Sequence, residues 1–441
     1  MNKGIILYAI LVTSLIVPGF DAQAQNARAR WETMNLIRRE KFDIVLPKVM
    51  RENSIDMWIV MVKRGHHDPL HVDLGGGSPN DKWGHGKFLG YTIFTDRGGD
   101  RIERAVLGIH GYTLENCGAY DLFGKAGDVS NFVAERDPKR IGVNMSRYIG
   151  AADGLSHTCY LHLLEVLGKK YAQRLVSAEK LVADFRSHRV TSEIVTFGKA
   201  AELTRKIMER ALSNEVITPG VTTRDEVGWW IQDQLLALGF APQSSLPSVI
   251  YPERARSKDY VIQRGDLLSL DWGIEMMNFT CDVKRLAYVL REGETTVPQT
   301  IQDAFEQGLS VRKIIRKHVK PGRSGVETLE LLYRKVEDAG FQRQEVEDEV
   351  TDSKNTEVNI GWHSVGNLGH GVGPAIWTEK PLRYQLELRP TQLFAFEFFM
   401  YVPLPEWGGK KLRIGIEDDV IITENGLEWL CPEIERILLI R

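Results

Sequence analysis

Four acidic side chains stand where an acid is expensive. Asp271 closes the run Leu267-Leu268-Ser269-Leu270, and Asp282 lies eleven positions further on. Glu397 is set in Phe394-Ala395-Phe396-Glu397-Phe398-Phe399-Met400, and Glu417 in Ile414-Gly415-Ile416-Glu417-Asp418-Asp419-Val420. A carboxylate in such surroundings is costly to bury unless it is paired or bound to a cation. A turn over Gly273 to Asn278 makes a hairpin that brings Asp271 and Asp282 together, and a divalent cation relieves their repulsion. Read alone, one of the two could equally cap a turn. Between the two acidic pairs lies Asn367-Leu368-Gly369-His370-Gly371-Val372-Gly373, whose glycines let the backbone bring His370 close to a metal. A solitary histidine there is more often a hydrogen-bonded core residue. Beside four acids it reads as a ligand.

The elements that must position these groups form an internal repeat. Helical residues Phe197 to Asn214 lead through Pro219-Gly220 into a second helix that ends at Gly239-Phe240. About a hundred residues later, Ile301 to Arg316 lead through Pro321-Gly322 into a helix that ends at Gly340-Phe341. In both copies Pro-Gly stops one helix and a Thr or Ser starts the next. Strands carrying the acids follow each copy, so the pattern predicts a pseudo-twofold core with the site where the halves meet. Upstream, Ile55 to Val62, Tyr91 to Thr95, Arg104 to Gly108 and Arg140 to Asn144 read as strands, and Gly154 to Leu167 as a helix. This alternation predicts a three-layer α/β domain ending near residue 185. Its long segment Lys63 to Lys87 holds Gly75-Gly76-Gly77 and several histidines; such a stretch is usually functional or mobile.

The order Asp271, Asp282, His370, Glu397, Glu417 resembles the five-ligand pattern of the superfamily of methionine aminopeptidase, aminopeptidase P and prolidase. Gly265-Asp266, Arg285, Gly-His-Gly-x-Gly and Ile-Glu-Asp-Asp are in register with it. The resemblance covers roughly residues 185 to 435. It implies an α+β chain in which a pita-bread domain over 186–441 follows a creatinase-type α/β domain over 25–185. It also implies a dinuclear site for Mn²⁺, Co²⁺, Zn²⁺ or Fe²⁺, which suit an oxygen-rich donor set. Asp271 would bind one metal, Asp282 and Glu417 would bridge, and His370 with Glu397 would complete the second. Such a pair of cations acidifies a water and steadies an oxyanion during amide cleavage, with Glu397 as general base.

The auxiliary histidines of the family are not where the pattern expects them. Tyr251 to Arg256 contains none, Trp377 stands seven after His370, and Gly366 stands four before it. Gly415 replaces the usual strand arginine, with Arg413 on the same face. Arg254 or Arg256 could supply an oxyanion donor. His363 precedes His370 by seven residues, and His66, His67, His71 and His85 lie in the glycine-rich loop. Creatinase-like relatives are dimers in which that loop can approach the neighbouring site, which makes a homodimer the expectation here. Trp272, Trp362 and Trp377 could wall an apolar pocket, although tryptophans pack cores more often than they select ligands.

The chain of 441 residues is long enough for two domains, and its 43% hydrophobic and 26% charged residues describe an ordinary globular protein. A net charge of −3 with no basic run argues against nucleic acid or an anionic membrane as partner. Lys3, the apolar stretch Gly4 to Val17 and Ala22-Gln23-Ala24 read as a cleavable signal peptide over 1–24, placing the mature protein in the periplasm or outside the cell. Of the four cysteines, Cys281 at least reads as a buried small hydrophobe in an apolar strand. Together these features predict an exported metallohydrolase acting on a peptide or a small amide. The alternative is a pseudo-peptidase binding module that keeps the fold, and perhaps metal, without turnover.

Overall fold

The computed structural model describes residues 20–441, apart from 80–81, 84–86, 242, 244, 346–353, 367–370, 378–381 and 409. Most of the signal-peptide expectation therefore lies outside the described residues, and so do His85 and His370. Among the described residues no helix is long and apolar enough to cross a membrane.

The N-terminal half is built on one mixed sheet. Its strands run in the order Leu122–Gly124, Ile102–Leu107, Lys87–Asp96, Met57–Lys63, Ile141–Val143 and Leu175–Ser177, with Lys82–Trp83 paired to Lys87–Asp96. The central strand is buried from Met57 to Val62 because both of its faces are covered. Met57, Ile59 and Met61 pack with Phe132 and Leu163, whereas Trp58 and Val60 pack with Phe42, Phe94 and Phe185. The period of two in a strand sends alternate residues into the two cores, which makes the three layers. The edge strand Leu175–Ser177 is too short to read from sequence. The second of these cores continues through Phe197 to Leu268, Leu270 and Cys281 without a break.

In the C-terminal half the repeat is visible element by element. Helices α1 (Thr191–Ala211) and α2 (Arg224–Ala237) precede a four-stranded sheet of β1 (Ser248–Tyr251), β2 (Leu267–Trp272), β3 (Val283–Val289) and Leu438–Ile440. Helices α3 (Gln299–His318) and α4 (Gly325–Asp338) precede a seven-stranded sheet. That sheet includes β4 (Glu357–Ile360), β5 (Trp362–Ser364), β6 (Leu393–Pro403) and β7 (Lys411–Thr423).

Local chemistry explains the matched spacing. Both second helices begin with a capping box: Thr223 Oγ1 accepts from the Glu226 N–H at 3.2 Å, and Ser324 Oγ from the Glu327 N–H at 3.3 Å. Each glutamate accepts in return from the N–H of its cap residue, at 2.7 and 2.9 Å. Such caps contribute about 0.5–2 kcal/mol each. Both helices end in the same way, with Gly239 and Gly340 at φ +71° and +94°. The following Phe240 and Phe341 donate back to Leu235 and Val336 at 2.9 and 3.2 Å. That six-to-one bond needs a residue in the left-handed conformation, which is why glycine precedes the phenylalanine twice.

Candidate active site

The site forms where β2 and β3 of the first sheet meet β6 and β7 of the second. Asp271 on β2 lies opposite Lys284 on β3, and Glu397 on β6 lies opposite Glu417 on β7. Asp282 comes in just ahead of β3, after the small hairpin Glu275–Met276 and Phe279–Thr280. Met277 and Asn278 turn that hairpin at positive φ, so the expected turn sits at its far end. Cys281 lies in the same connection rather than inside a strand, and it is buried and unpaired in a disulfide, as are the other three cysteines.

The two sheets are fastened together behind the acids. Arg285 Nη1 donates to Asp418 Oδ1 at 2.8 Å, and Asp418 also accepts from the Ile434 N–H at 3.1 Å. Asp419 accepts from the Asp282 N–H at 3.3 Å. Burial raises the carboxyls of both Asp418 and Asp419, Asp419 well above its ordinary value with Asp282 adding to the effect. The Asp73 carboxylate of the glycine-rich loop reaches the hairpin from the N-terminal half, accepting from Asn278 Nδ2 at 2.8 Å and from Arg186 Nε at 2.9 Å.

The expected acids do converge. Asp271, Glu397 and Glu417 each offer an oxygen within 4.8 Å of the others, and Asp282, Glu417 and His363 offer a second such group. His363 Nε2 lies 3.6 Å from Asp282 Oδ2 and is buried. The pattern read from sequence overstated one burial: Asp271, next to last in β2, is 53% exposed. Glu417, by contrast, is 1% exposed.

The charged residue that the sequence reading passed over is Lys284. Its Nζ lies 2.5 Å from Glu397, 2.5 Å from Glu417 and 3.0 Å from Asp271. All seven residues of β3 are buried, so a lysine there must find partners inside. Its position two after Asp282 was the available signal, since alternate strand residues share a face. Burial works against the ammonium, yet Glu417, Glu397, Asp271 and Asp282 together hold its pKa well above the ordinary lysine value. Asp282 is raised to about 7 by burial first and by Asp271 second. Burial, then Asp282 and Glu397, raise Glu417 well above the usual carboxylate range.

This donor set fits a divalent cation on one side. Glu417 Oε2 is bonded to Lys284, while Glu417 Oε1 is buried without a hydrogen-bond partner among the described residues. A buried orphan oxygen beside Asp282 and the imidazole of His363 is the kind of group that a cation satisfies.

Other expected residues fall elsewhere. Arg254 lines a cavity of about 730 Å³ with Pro252, Tyr401, Trp407 and Arg413. The Arg413 guanidinium lies 3.7 Å from the centre of the Phe399 ring, whose centre is 5.2 Å from Lys284 Nζ, so Phe399 connects a wall of the cavity to the acidic cluster, whose own residues do not line it. Trp362 is fully buried, with its ring 4.4 Å from that of Phe396, and belongs to the core rather than to a pocket wall. Trp272 is buried too and donates to the Gln243 carbonyl at 3.1 Å. Trp377 is half-buried beside Gly361. His66 and His67 are exposed; His71 stacks on His67 at 4.1 Å and is pushed down to about 4 by burial and then by His67. At Gly366, φ is +119° and a Cβ would run into Arg189 Nη2. Arg189, paired with Glu193 at 3.0 Å, thus holds the space that a side chain there would need.

Residues 196–424 match metallopeptidase family M24. The chain is 26% identical over 212 residues to YqhT of Bacillus subtilis strain 168, an uncharacterized peptidase, and the match covers 47% of this chain and 49% of that protein. The chain thus spans about half the length of that relative. To the Xaa-Pro dipeptidase of Pyrococcus furiosus it is 25% identical over 285 residues, covering 62% of this chain and 70% of the other. Among solved structures it resembles an X-Pro aminopeptidase from Thermotoga maritima, with a TM-score of 0.60 at 16% identity over 89% of this chain and 99% of that one. The prolidase from Pyrococcus horikoshii gives 0.55 at 18% identity over 93% and 100%. At these identities the structures speak for the fold: a pita-bread domain behind a smaller α/β domain.

Proposed function

Because the chain belongs to metallopeptidase family M24, and is on that ground a metal-dependent hydrolase, we propose that it cleaves a peptide or a related amide C–N bond. The observation that supports this most is the convergence of Asp271, Asp282, Glu397, Glu417 and His363 where two repeat-related strand pairs meet. Asp282, Glu417 and His363 would hold a divalent ion, drawn from Mn²⁺, Co²⁺, Zn²⁺ or Fe²⁺, with His370 a further ligand from the sequence pattern. Such an ion supplies Lewis-acid polarisation of the amide carbonyl and an acidified water. Glu397 is 15% exposed and bonded to Lys284 through one oxygen, and its carboxylate would take the proton of an attacking water. The cavity lined by Arg254, Tyr401 and Trp407 would take the substrate, with Arg254 as a donor to the developing oxyanion.

The substrate we propose is not an ordinary Xaa-Pro peptide. Gly366 and Trp377 stand at the positions where the proline-cleaving branch uses histidine. A side chain at Gly366 would need Arg189 to move and would sit at a φ of +119°, so the backbone there favours glycine. Removal of one oxyanion donor typically costs about 10²–10³ in rate. The protein acts outside the cytoplasm after removal of residues 1–24, and as a homodimer in which the His66-His67 loop can serve the neighbouring site.

The test is steady-state kinetics of Mn²⁺-loaded protein on dipeptides, Xaa-Pro dipeptides and tripeptides, and small amides. Metal-dependent turnover of a non-proline amide is the expected result. A kcat/KM of about 10⁴ M⁻¹s⁻¹ or more on Xaa-Pro peptides would refute the substrate reading. Metal binding without turnover of any panel member would favour the pseudo-peptidase module, which the occupied position at Gly366 also supports.

A further inference from the structure

Three features of β3 and β7 belong together. The Lys284 ammonium donates to Glu397 and Glu417 and pairs with a third carboxylate, Asp271, at 3.0 Å. Those same three acids form one of the two groups able to hold a cation. The second group, Asp282, His363 and Glu417, includes Glu417 Oε1, which is buried without a hydrogen-bond partner among the described residues. Finally, Gly415 makes the room: a Cβ there would stand 2.9 Å from Lys284 Cδ and 2.9 Å from the Phe399 ring. Any side chain at Gly415 would press on the lysine stem. Gly415 and Lys284 therefore act as a pair, the one vacating the volume that the other fills.

We propose that the Lys284 ammonium permanently takes the place of one of the two divalent ions for which the five-ligand pattern is built, leaving one cation site at Asp282, His363 and Glu417. The inference rests on the reading of this chain as a metal-binding hydrolase and specifies its metal count. An ion seated among Asp271, Glu397 and Glu417 would have to share with Lys284 the three carboxylates that the ammonium already contacts, and an ammonium has no lone pair with which to become a ligand. Swinging the lysine out is opposed by its setting, since the side chain is 6% exposed on a strand that is buried throughout. Like charge also keeps a second dication away from the ammonium. Glu417 then touches both cations, one fixed in the chain and one bound.

Metal content decides the matter without any assay of activity. Purified full chain and Lys284→Ala are stripped with chelator, dialysed against Mn²⁺ and measured by native mass spectrometry and elemental analysis. The expected result is one ion per wild-type chain and two per Lys284→Ala chain. Two ions per wild-type chain would overturn the proposal while leaving the hydrolase reading intact. One ion in both proteins would overturn it too, because Lys284 would then not be what excludes the second. No ion in either would remove the metal reading itself, and the proposal with it. Should Lys284→Ala fail to fold, a Zn²⁺ soak of wild-type crystals at the zinc absorption edge is sufficient. A single anomalous peak within ligand distance of Asp282, His363 and Glu417 supports the proposal, and a second peak among Asp271, Glu397 and Glu417 refutes it.

Discussion

Replacing Lys284 by methionine keeps most of the stem and removes the charge. In metal-free protein this leaves four carboxylates facing one another with no cation. Removing one partner of a buried ion pair costs about 3–5 kcal/mol, because the other charge stays buried and unpaired. The share from Asp271 is small, since at 53% exposure water screens it. Glu417 and Glu397, at 1% and 15% exposure, set the magnitude. A loss of about 3–5 kcal/mol at pH 8 is therefore expected. Its pH dependence follows from the raised carboxyls. Asp282 goes from 3.8 to about 7 through burial and then Asp271, and burial takes Glu417 well above its ordinary value. Acids raised by folding bind more protons folded than unfolded, so stability falls as pH rises from 3.8 toward 7. Without Lys284 these acids are raised further, and the deficit should be largest at pH 8 and smaller at pH 5. Urea unfolding in EDTA, followed by tryptophan fluorescence and by far-UV circular dichroism, measures it; coincidence of the two probes tests two-state behaviour in so long a chain. Each Mn²⁺ bound at a hundredfold excess over its Kd should return about 2.7 kcal/mol. A deficit below about 1 kcal/mol at pH 8, or one that grows on acidification, would refute the reasoning.

Three further outcomes are expected. Asp282→Ala should abolish stoichiometric metal binding in dialysis, because it removes a carboxylate from the only acid-and-imidazole group among the described residues. Glu397→Gln should keep the fold and lower kcat on any substrate found by about 10² or more; turnover at the wild-type rate would show that Glu397 is not the base. Gly366→His should not restore proline-type activity. It places a side chain at φ +119° against Arg189, and a loss of stability of several kcal/mol, seen as a lower urea midpoint, is expected.

Much of the chain was legible because its signals are local. Thr223 with Glu226, Ser324 with Glu327, and the two Gly-Phe ends are decided within a turn of helix, and they announce the repeat. Glu397 stands out because six apolar neighbours make an ionised acid anomalous in any fold, and Glu417 because it lies in a strand that is apolar on either side of its acids. The edge strand Leu175–Ser177 escaped because three half-exposed residues carry no periodicity of their own.

What the sequence alone could not decide is which charges share a space. Lys284 follows Asp282 by two, so its face was readable, but its destination was not. Whether a lysine on that face turns toward solvent or inward depends on Gly415, Phe399 and the acids of β6 and β7, all distant along the chain. Arg189 and Gly366 meet in the same way, and so do Trp362 and Phe396, which make a core where a pocket wall was an open reading. A carboxylate in an apolar strand announces from its own neighbours that it needs a partner. The identity of that partner, metal ion or lysine, is decided only by the volume and charge that other strands bring to it.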